Sequence, residues 1–156
     1  MDTAAADHGD HRSTASVGGH PLHPAVVPLP IGMLTAAAVS DVGYLLTRER
    51  FFARMSRWLL GGGIIGGLLA APLGALDLST IRAARSPVGV AHAGGNVAVL
   101  LLSALSLAMR QRAGSRVPGP AMALTLLAGL MLAVTGWLGG ELSYRKGIGV
   151  LPHDER

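Results

Sequence analysis

A few residues with metal-ligating side chains lie at the ends of long apolar stretches. His20 and His23 belong to the motif HPLHP, and Asp77, His92 and Asn96 border the next two stretches. Imidazole nitrogens bind transition metals and haem iron, and a carboxylate that accepts the second ring N–H fixes the orientation of the imidazole. If the fold brings these side chains together, they are suited to holding a metal ion or a haem.

The composition indicates the environment in which these residues act. Of the 156 residues, 50% are hydrophobic and only 14% are charged, whereas soluble domains carry about 25% charged residues. The net charge of +4 is spread over short connectors without interleaved aromatic residues, so no nucleic acid is predicted as a partner. The absence of cysteine excludes disulfides, iron–sulfur clusters held by cysteine and covalent c-type haem attachment.

The apolar stretches predict an all-α fold, an integral membrane up-down-up-down four-helix bundle at residues 20–150. Crossing a bilayer takes about 20 apolar residues, and the connectors are short enough to make successive spans antiparallel neighbours. A disordered polar tail is predicted at 1–19 and a short polar tail at 151–156. The four spans are predicted at about 25–46, 58–80, 88–109 and 120–139.

Glycine pairs in the second span predict close helix packing. Gly62 and Gly66, and Gly63 and Gly67, form two overlapping GxxxG motifs, which let helix backbones approach each other in a bilayer. A cofactor lying against this glycine face is the alternative.

The arginines favour one orientation in the membrane. They concentrate in the connectors after the first and third spans, whereas the connector between spans two and three has only Arg82 and Arg85. Because cytoplasmic loops carry the excess of Lys and Arg, both termini are expected on the outer side of a bacterial cytoplasmic membrane. The lipid bilayer is the expected partner, and the oligomeric state is left open.

In this topology the histidines and Asp77 converge at the outer face. Spans one and three begin there, and spans two and four end there, which brings His20, His23, Asp77 and His92 to one side. Asp77 is expected to accept a ring N–H of His92. The alternative is a polar pair that only ties two helices together. Asn96 lies one turn deeper than His92 on the same face.

The motif HPLHP is predicted to be extended. Residues that precede proline avoid helical backbone, so the motif should place two imidazoles at the mouth of the bundle. Whether His20 or His23 faces the core is left open.

Asp41 lies in the first span, near the arginine-rich side. A charged group at that depth needs a partner, so a structural salt bridge is expected, with a proton or ion relay as the alternative. The candidate partners are Arg54, Arg57 and Arg110.

The order of these motifs resembles one bacterial family, the small four-helix membrane proteins catalogued as domain of unknown function 2231. The resemblance covers roughly residues 19 to 150. It rests on GHPLHPAVVPLPIG, the glycine-rich span ending in Asp77, His92 with Asn96, and the ending GWLGGELSYRKGIGV. It implies membrane redox work, because some relatives are fused to Rieske-type or cytochrome-like modules. Glu141 departs from the pattern, since some relatives have a histidine there.

Three functions follow from these observations. The first is electron transfer with a redox protein partner, through a b-type haem or a single metal ion. The haem would be held by His92 and either His23 or His20, beside Asn96; the metal ion would be held by His20, His23, His92 and Asp77. The second is a membrane module that binds a partner or supports complex assembly, and the third is a small transporter. The chain is not expected to be an enzyme by itself.

Overall fold

The computed structural model describes residues 13–114 and 116–150. The tail predicted at 151–156 and residues 1–12 of the tail predicted at 1–19 lie outside the described residues. A short helix α1 precedes four helices that are long and apolar enough to cross a membrane. The helices are α1 (Leu22–Val26), α2 (Pro28–Thr47), α3 (Arg50–Thr80), α4 (Pro87–Gln111) and α5 (Gly119–Gly140). The prediction of an all-α membrane-type fold is confirmed.

Short elements close the end of the bundle where α2 and α4 begin. Strands β1 (Ser16–Val17) and β2 (His20–Pro21) form a small antiparallel hairpin. A 3₁₀ turn (Arg82–Arg85) links α3 to α4, and a π-helical turn (Glu141–Arg145) extends α5. Part of the segment assigned to a disordered tail is therefore ordered, because Leu22 N–H donates to Ala15 O and holds the hairpin against α1.

HPLHP is only partly extended, which corrects the prediction. His20 and Pro21 lie in β2, but His23 and Pro24 lie in α1. Proline is tolerated in the first turn of a helix, where its missing N–H has no helical acceptor. Pro24 is in that turn, so His23 adopts helical backbone although a proline follows it.

The remaining helix ends follow from local sequence. Ser86 caps α4, its hydroxyl accepting from Gly89 N at 3.4 Å, and Pro87 occupies the first turn. Arg48 ends α2 in the left-handed conformation (φ 60°), with its N–H donating to Tyr44 O at 2.8 Å. Only Arg48 and Glu49 connect α2 to α3, so α3 begins well before the predicted start at residue 58.

The four long helices pack as two antiparallel hairpins, α2–α3 and α4–α5. Each helix of one hairpin also contacts one helix of the other, α3 with α4 and α2 with α5, so α2 and α4 lie diagonally. The GxxxG glycines serve close packing, as a Cβ added at Gly63 would lie 2.6 Å from Leu34 and one at Gly67 2.5 Å from Leu100. The apolar core lies at mid-height, around Leu60 and Val99.

One sequence interval relates several positions of the two hairpins. Asp41 in α2 and Arg110 in α4 are 69 residues apart, and the same interval separates the first residues of α3 and α5, Arg50 and Gly119. Asp41 and Arg110 are both fully buried and face each other across the bundle. Equivalent positions of the two hairpins thus carry opposite charges that pair.

Other polar positions obey the same interval. It relates Ser56 in α3 to Thr125 in α5, and both hydroxyls accept hydrogen bonds from Arg110. It also relates His23 to His92. These three pairs each take one residue from each hairpin.

Candidate functional site

His92 is held between α4 and α5. Its Nδ1 lies 2.8 Å from the carbonyl oxygen of Thr135. Its ring lies against Gly139, where an added Cβ would come within 2.9 Å of Cε1. Thr135 and Gly139 are one helical turn apart on α5. The imidazole therefore bonds to the carbonyl of the first and packs against the second, which has no side chain.

His23 repeats this arrangement in the other hairpin. Its Nδ1 lies 3.1 Å from the carbonyl oxygen of Ala70, and its ring lies against Gly74, where an added Cβ would come within 2.7 Å of Cε1. Ala70 and Gly74 are again one turn apart. His23, not His20, is thus the histidine of HPLHP that enters the bundle, and His20 remains exposed on β2.

These contacts fix the same tautomer in both rings. A carbonyl oxygen only accepts hydrogen bonds, so each Nδ1 carries the proton and each Nε2 carries a lone pair. Histidines that ligate metals in proteins show this pattern, with the second ring N–H donated to a backbone carbonyl or carboxylate. Both imidazoles are therefore prepared to act as ligands through Nε2.

Asn96 stacks on His92. Its Nδ2 is 3.2 Å from Nε2 and 3.5 Å from Nδ1 of the ring, and it donates to the His92 carbonyl at 2.9 Å. A nitrogen almost equally distant from both ring nitrogens lies over the ring face, because an in-plane position would collide with Cε1. The amide therefore leaves the in-plane lone pair of Nε2 unused. Thr135 Oγ1 donates to Asn96 Oδ1 at 3.1 Å and completes the cluster.

A cavity of about 540 Å³ lies between the two hairpins and reaches both histidines. His23, His92 and Asn96 supply polar atoms to its wall, which is otherwise apolar or glycine. Leu34, Val99 and Leu132 line it towards the core of the bundle. We call this space the histidine cleft; its volume is within the range of about 300–1,000 Å³ typical of ligand and cofactor pockets.

Asp77 is not the partner of His92, which corrects the sequence-based pairing. Its carboxylate accepts from Ser13 Oγ at 2.7 Å. It is 8% exposed, and Gly149 of the C-terminal segment approaches it. Asp77 thus fastens the N-terminal segment to the end of α3, while a carbonyl orients His92.

The proposed metal ligands His20, His23, His92 and Asp77 do not converge. Within residues 13–114 and 116–150, no group of three or more His, Asp or Glu side chains is placed to hold a metal ion. His20 is exposed on the β-hairpin, and Asp77 is engaged by Ser13. Glu141 lies apart as well, in an ion pair with Arg145 at 3.0 Å.

A second polar cluster occupies the opposite end of the bundle. Arg110 donates through Nη1 to Asp41 Oδ1 at 2.8 Å and through Nη2 to Asp41 Oδ2. Asp41 is 0% exposed and Arg110 is 1% exposed. Of the three arginines considered from the sequence, Arg110 is therefore the partner of Asp41.

Hydroxyl groups accept further hydrogen bonds from the Arg110 guanidinium. Arg110 also donates to Ser56 Oγ at 2.9 Å, Thr125 Oγ1 at 2.7 Å and Ser106 Oγ at 3.2 Å. With Asp41, these residues come from all four long helices. A buried ion pair is tolerated when further hydrogen bonds satisfy both charges, so this cluster is a structural tie between the hairpins.

The sequence did not point to the carbonyls and glycines that hold the histidines, nor to the hydroxyls around Arg110. The 69-residue interval, which also links Ser56 to Thr125, could have indicated two of those hydroxyls. It does not mark the carbonyls of Ala70 and Thr135, which lie 47 and 43 residues beyond their histidines.

A family model described as "Predicted membrane protein (DUF2231)" matches residues 19–152. The match covers all five helices and both histidines of the cleft. No curated protein and no solved structure matches the chain.

Proposed function

We propose a haem-binding, electron-transferring function for this chain, which belongs to the DUF2231 family of predicted membrane proteins. The proposal is that His23 and His92 hold one b-type haem between the two hairpins. Held by these two imidazoles, a b-type haem would supply one-electron transfer. The chain would act as a redox component of a bacterial cytoplasmic membrane, together with a redox protein partner.

The observation that carries this proposal is that the two imidazoles have the same tautomer, each oriented by a backbone carbonyl. Each donates Nδ1–H to a backbone carbonyl of the neighbouring helix, at 3.1 Å for His23 and 2.8 Å for His92. Each therefore presents Nε2 as a neutral ligand, and both rings border one cavity. Two ligands that border one space from different hairpins suit a flat macrocycle better than a single ion.

The walls of the cleft favour the same ligand. Gly67, Gly74, Gly94 and Gly136 line it. An added Cβ at Gly94 or Gly136 would meet nothing within 4 Å, so these positions leave open space beside the rings. The wall is otherwise almost entirely apolar, as expected for a site that takes up a hydrophobic macrocycle and excludes water.

A metal ion bound by protein alone is the weaker candidate. The described residues offer it two imidazoles and the Asn96 amide, whereas zinc sites use three or four protein ligands. A haem would need only His23 and His92 as ligands from the protein. The donor set therefore supports haem over a bare ion.

The test is haem loading of the purified protein. The chain is produced in a host supplied with haem, extracted in detergent and examined by reduced-minus-oxidised absorption spectroscopy, with the haem-to-protein ratio measured by the pyridine haemochrome method. The expected result is one haem per chain, with a Soret band that shifts on reduction. A protein that stays colourless, even after titration with hemin, would contradict the proposal and favour the non-enzymatic assembly module.

A further inference from the structure

The two histidines of the cleft have different surroundings. The interval that relates His92 to His23 relates Asn96 to Val27. The residue that supplies the carbonyl oxygen is Thr135 for His92 and Ala70 for His23. Neither Val27 nor Ala70 has a polar side chain, so the amide and hydroxyl that hold His92 have no equivalent at these positions beside His23.

The backbone differs in the same sense. His92 lies in the second turn of α4, a continuous helix of 25 residues. His23 is the second residue of a helical stretch that continues from α1 into α2, because Val27 has helical backbone and its N–H donates to His23 O at 3.1 Å. The start of this stretch has no side-chain cap, whereas Ser86 caps α4. Helix ends fray, so His23 lies in a less stable part of its helix than His92, and its ring bonds to Ala70 O at 3.1 Å.

We propose that the two histidines are unequal ligands: His92 is permanent, and His23 is exchangeable, so that release of the His23 ring from the cleft frees one coordination position for a small neutral ligand such as carbon monoxide. This inference rests on the proposed haem function. The exchange needs no electron or proton, because His23 leaves as a neutral ring whose Nδ1 proton stays in place. The ligand class is a small uncharged molecule that binds ferrous haem and fits an apolar cleft.

Variants of the haem-loaded full-length chain test the inequality. We expect His23→Ala to retain haem and to shift from six-coordinate low-spin to five-coordinate high-spin, with a carbon monoxide difference spectrum at least several-fold larger than that of the wild type. Added imidazole should restore the low-spin spectrum. His92→Ala should lose most of its haem, whereas His20→Ala should match the wild type. Equal haem loss in His23→Ala and His92→Ala, or retention only in His92→Ala, would overturn the inequality.

A measurement on the haem-free protein separates this inference from the proposed function. Diethyl pyrocarbonate modifies neutral imidazoles, and mass spectrometry reports the rate at each histidine. We expect His20 to react first, His23 next and His92 at least several-fold more slowly than His23, because only His92 is clamped by Asn96. Equal rates at His23 and His92 would contradict the inequality even if haem binds. A chain that binds no haem but keeps the order would refute only the proposed function.

Discussion

Arg110 forms a two-pronged, fully buried ion pair with Asp41, the residue at the equivalent position of the other hairpin. The two side chains lie at one end of the bundle, and His23 and His92, related by the same interval, lie at the other. The ion pair joins the hairpins, and the histidines border the space left between them. The first pair is therefore enclosed by its own hydrogen bonds, whereas the second borders a cavity.

Because Asp41 and Arg110 occupy equivalent positions of the two hairpins, we expect the protein to tolerate an exchange of these two residues. Asp41→Asn or Arg110→Gln alone should lower the stability in detergent by about 3–5 kcal/mol, because each leaves a buried charge without its partner. The double variant Asp41→Arg with Arg110→Asp should recover at least half of that loss, since Ser56 and Thr125 are also related by the same interval. Thermal unfolding, followed by tryptophan fluorescence, measures all three.

Arg112→Gln is the matched control for this experiment. Arg112 lies two residues beyond Arg110 but is exposed, so its loss should change stability by no more than about 0.5 kcal/mol. A double swap as unstable as the sum of the single variants would show that the two positions are not equivalent.

The glycines beneath the imidazoles should be irreplaceable for haem binding. Gly74→Ala places a methyl group against His23, and Gly139→Ala places one against His92. Each should push its ring away from the carbonyl that orients it, at a cost of about 1–3 kcal/mol, and weaken haem retention. Hemin titration followed in the Soret region measures the effect.

Gly32→Ala serves as the comparison for these variants. Its added Cβ meets nothing within 4 Å, and alanine is the better helix former. Haem affinity should therefore stay at the wild-type value. If Gly74→Ala and Gly139→Ala also bind haem as the wild type does, the rings do not depend on these contacts.

We expect Asp77 to hold the N-terminal segment in place and to have no effect on haem binding. Asp77→Asn removes the carboxylate that accepts from Ser13, and hydrogen bonds to charged groups are worth about 1.5–3 kcal/mol. The segment before α1 should then become more sensitive to limited proteolysis, while the absorption spectrum stays unchanged. Ser13→Ala should show the same proteolysis pattern. If the absorption spectrum changed in Asp77→Asn but not in Ser13→Ala, the Asp77 carboxylate would belong to the cofactor site after all.

The orientation in the membrane can be checked by labelling, because the chain has no cysteine of its own. Ser16→Cys on the β-hairpin and Gln111→Cys at the end of α4 are both exposed positions. A membrane-impermeant maleimide added to intact cells should modify the cysteine at 16 and spare the one at 111, because the arginines near 111 favour the cytoplasm. The reverse pattern would invert the topology.

The fold was predictable from sequence to a large extent. Apolar length predicted four spans, and the structure has four helices long and apolar enough to cross a membrane. The start of α3 was missed, because RFFARMSRW looks like a polar connector although Ala53 and Ser56 are buried in it. Helical periodicity across a charged stretch was the overlooked signal.

The candidate site was predictable only in its residue types. The sequence predicted His23, His92 and Asn96 as site residues, and all three border the histidine cleft, but the partners of both rings are backbone carbonyls. A carbonyl exists at every residue, so no side-chain pattern marks which one a histidine will meet. The pairing of Asp77 with His92 was wrong for the same reason, because sequence suggests the carboxylate and cannot show a carbonyl that lies closer.

One haem titration addresses the shared role of His23 and His92. The wild type, His20→Ala and the double variant His23→Ala with His92→Ala are purified in detergent, checked for equal folding by circular dichroism, and titrated with hemin. We expect one haem per chain in the wild type and in His20→Ala, and none in the double variant. A double variant that is folded and binds haem like the wild type would contradict the assignment of the cleft between His23 and His92 as the cofactor site.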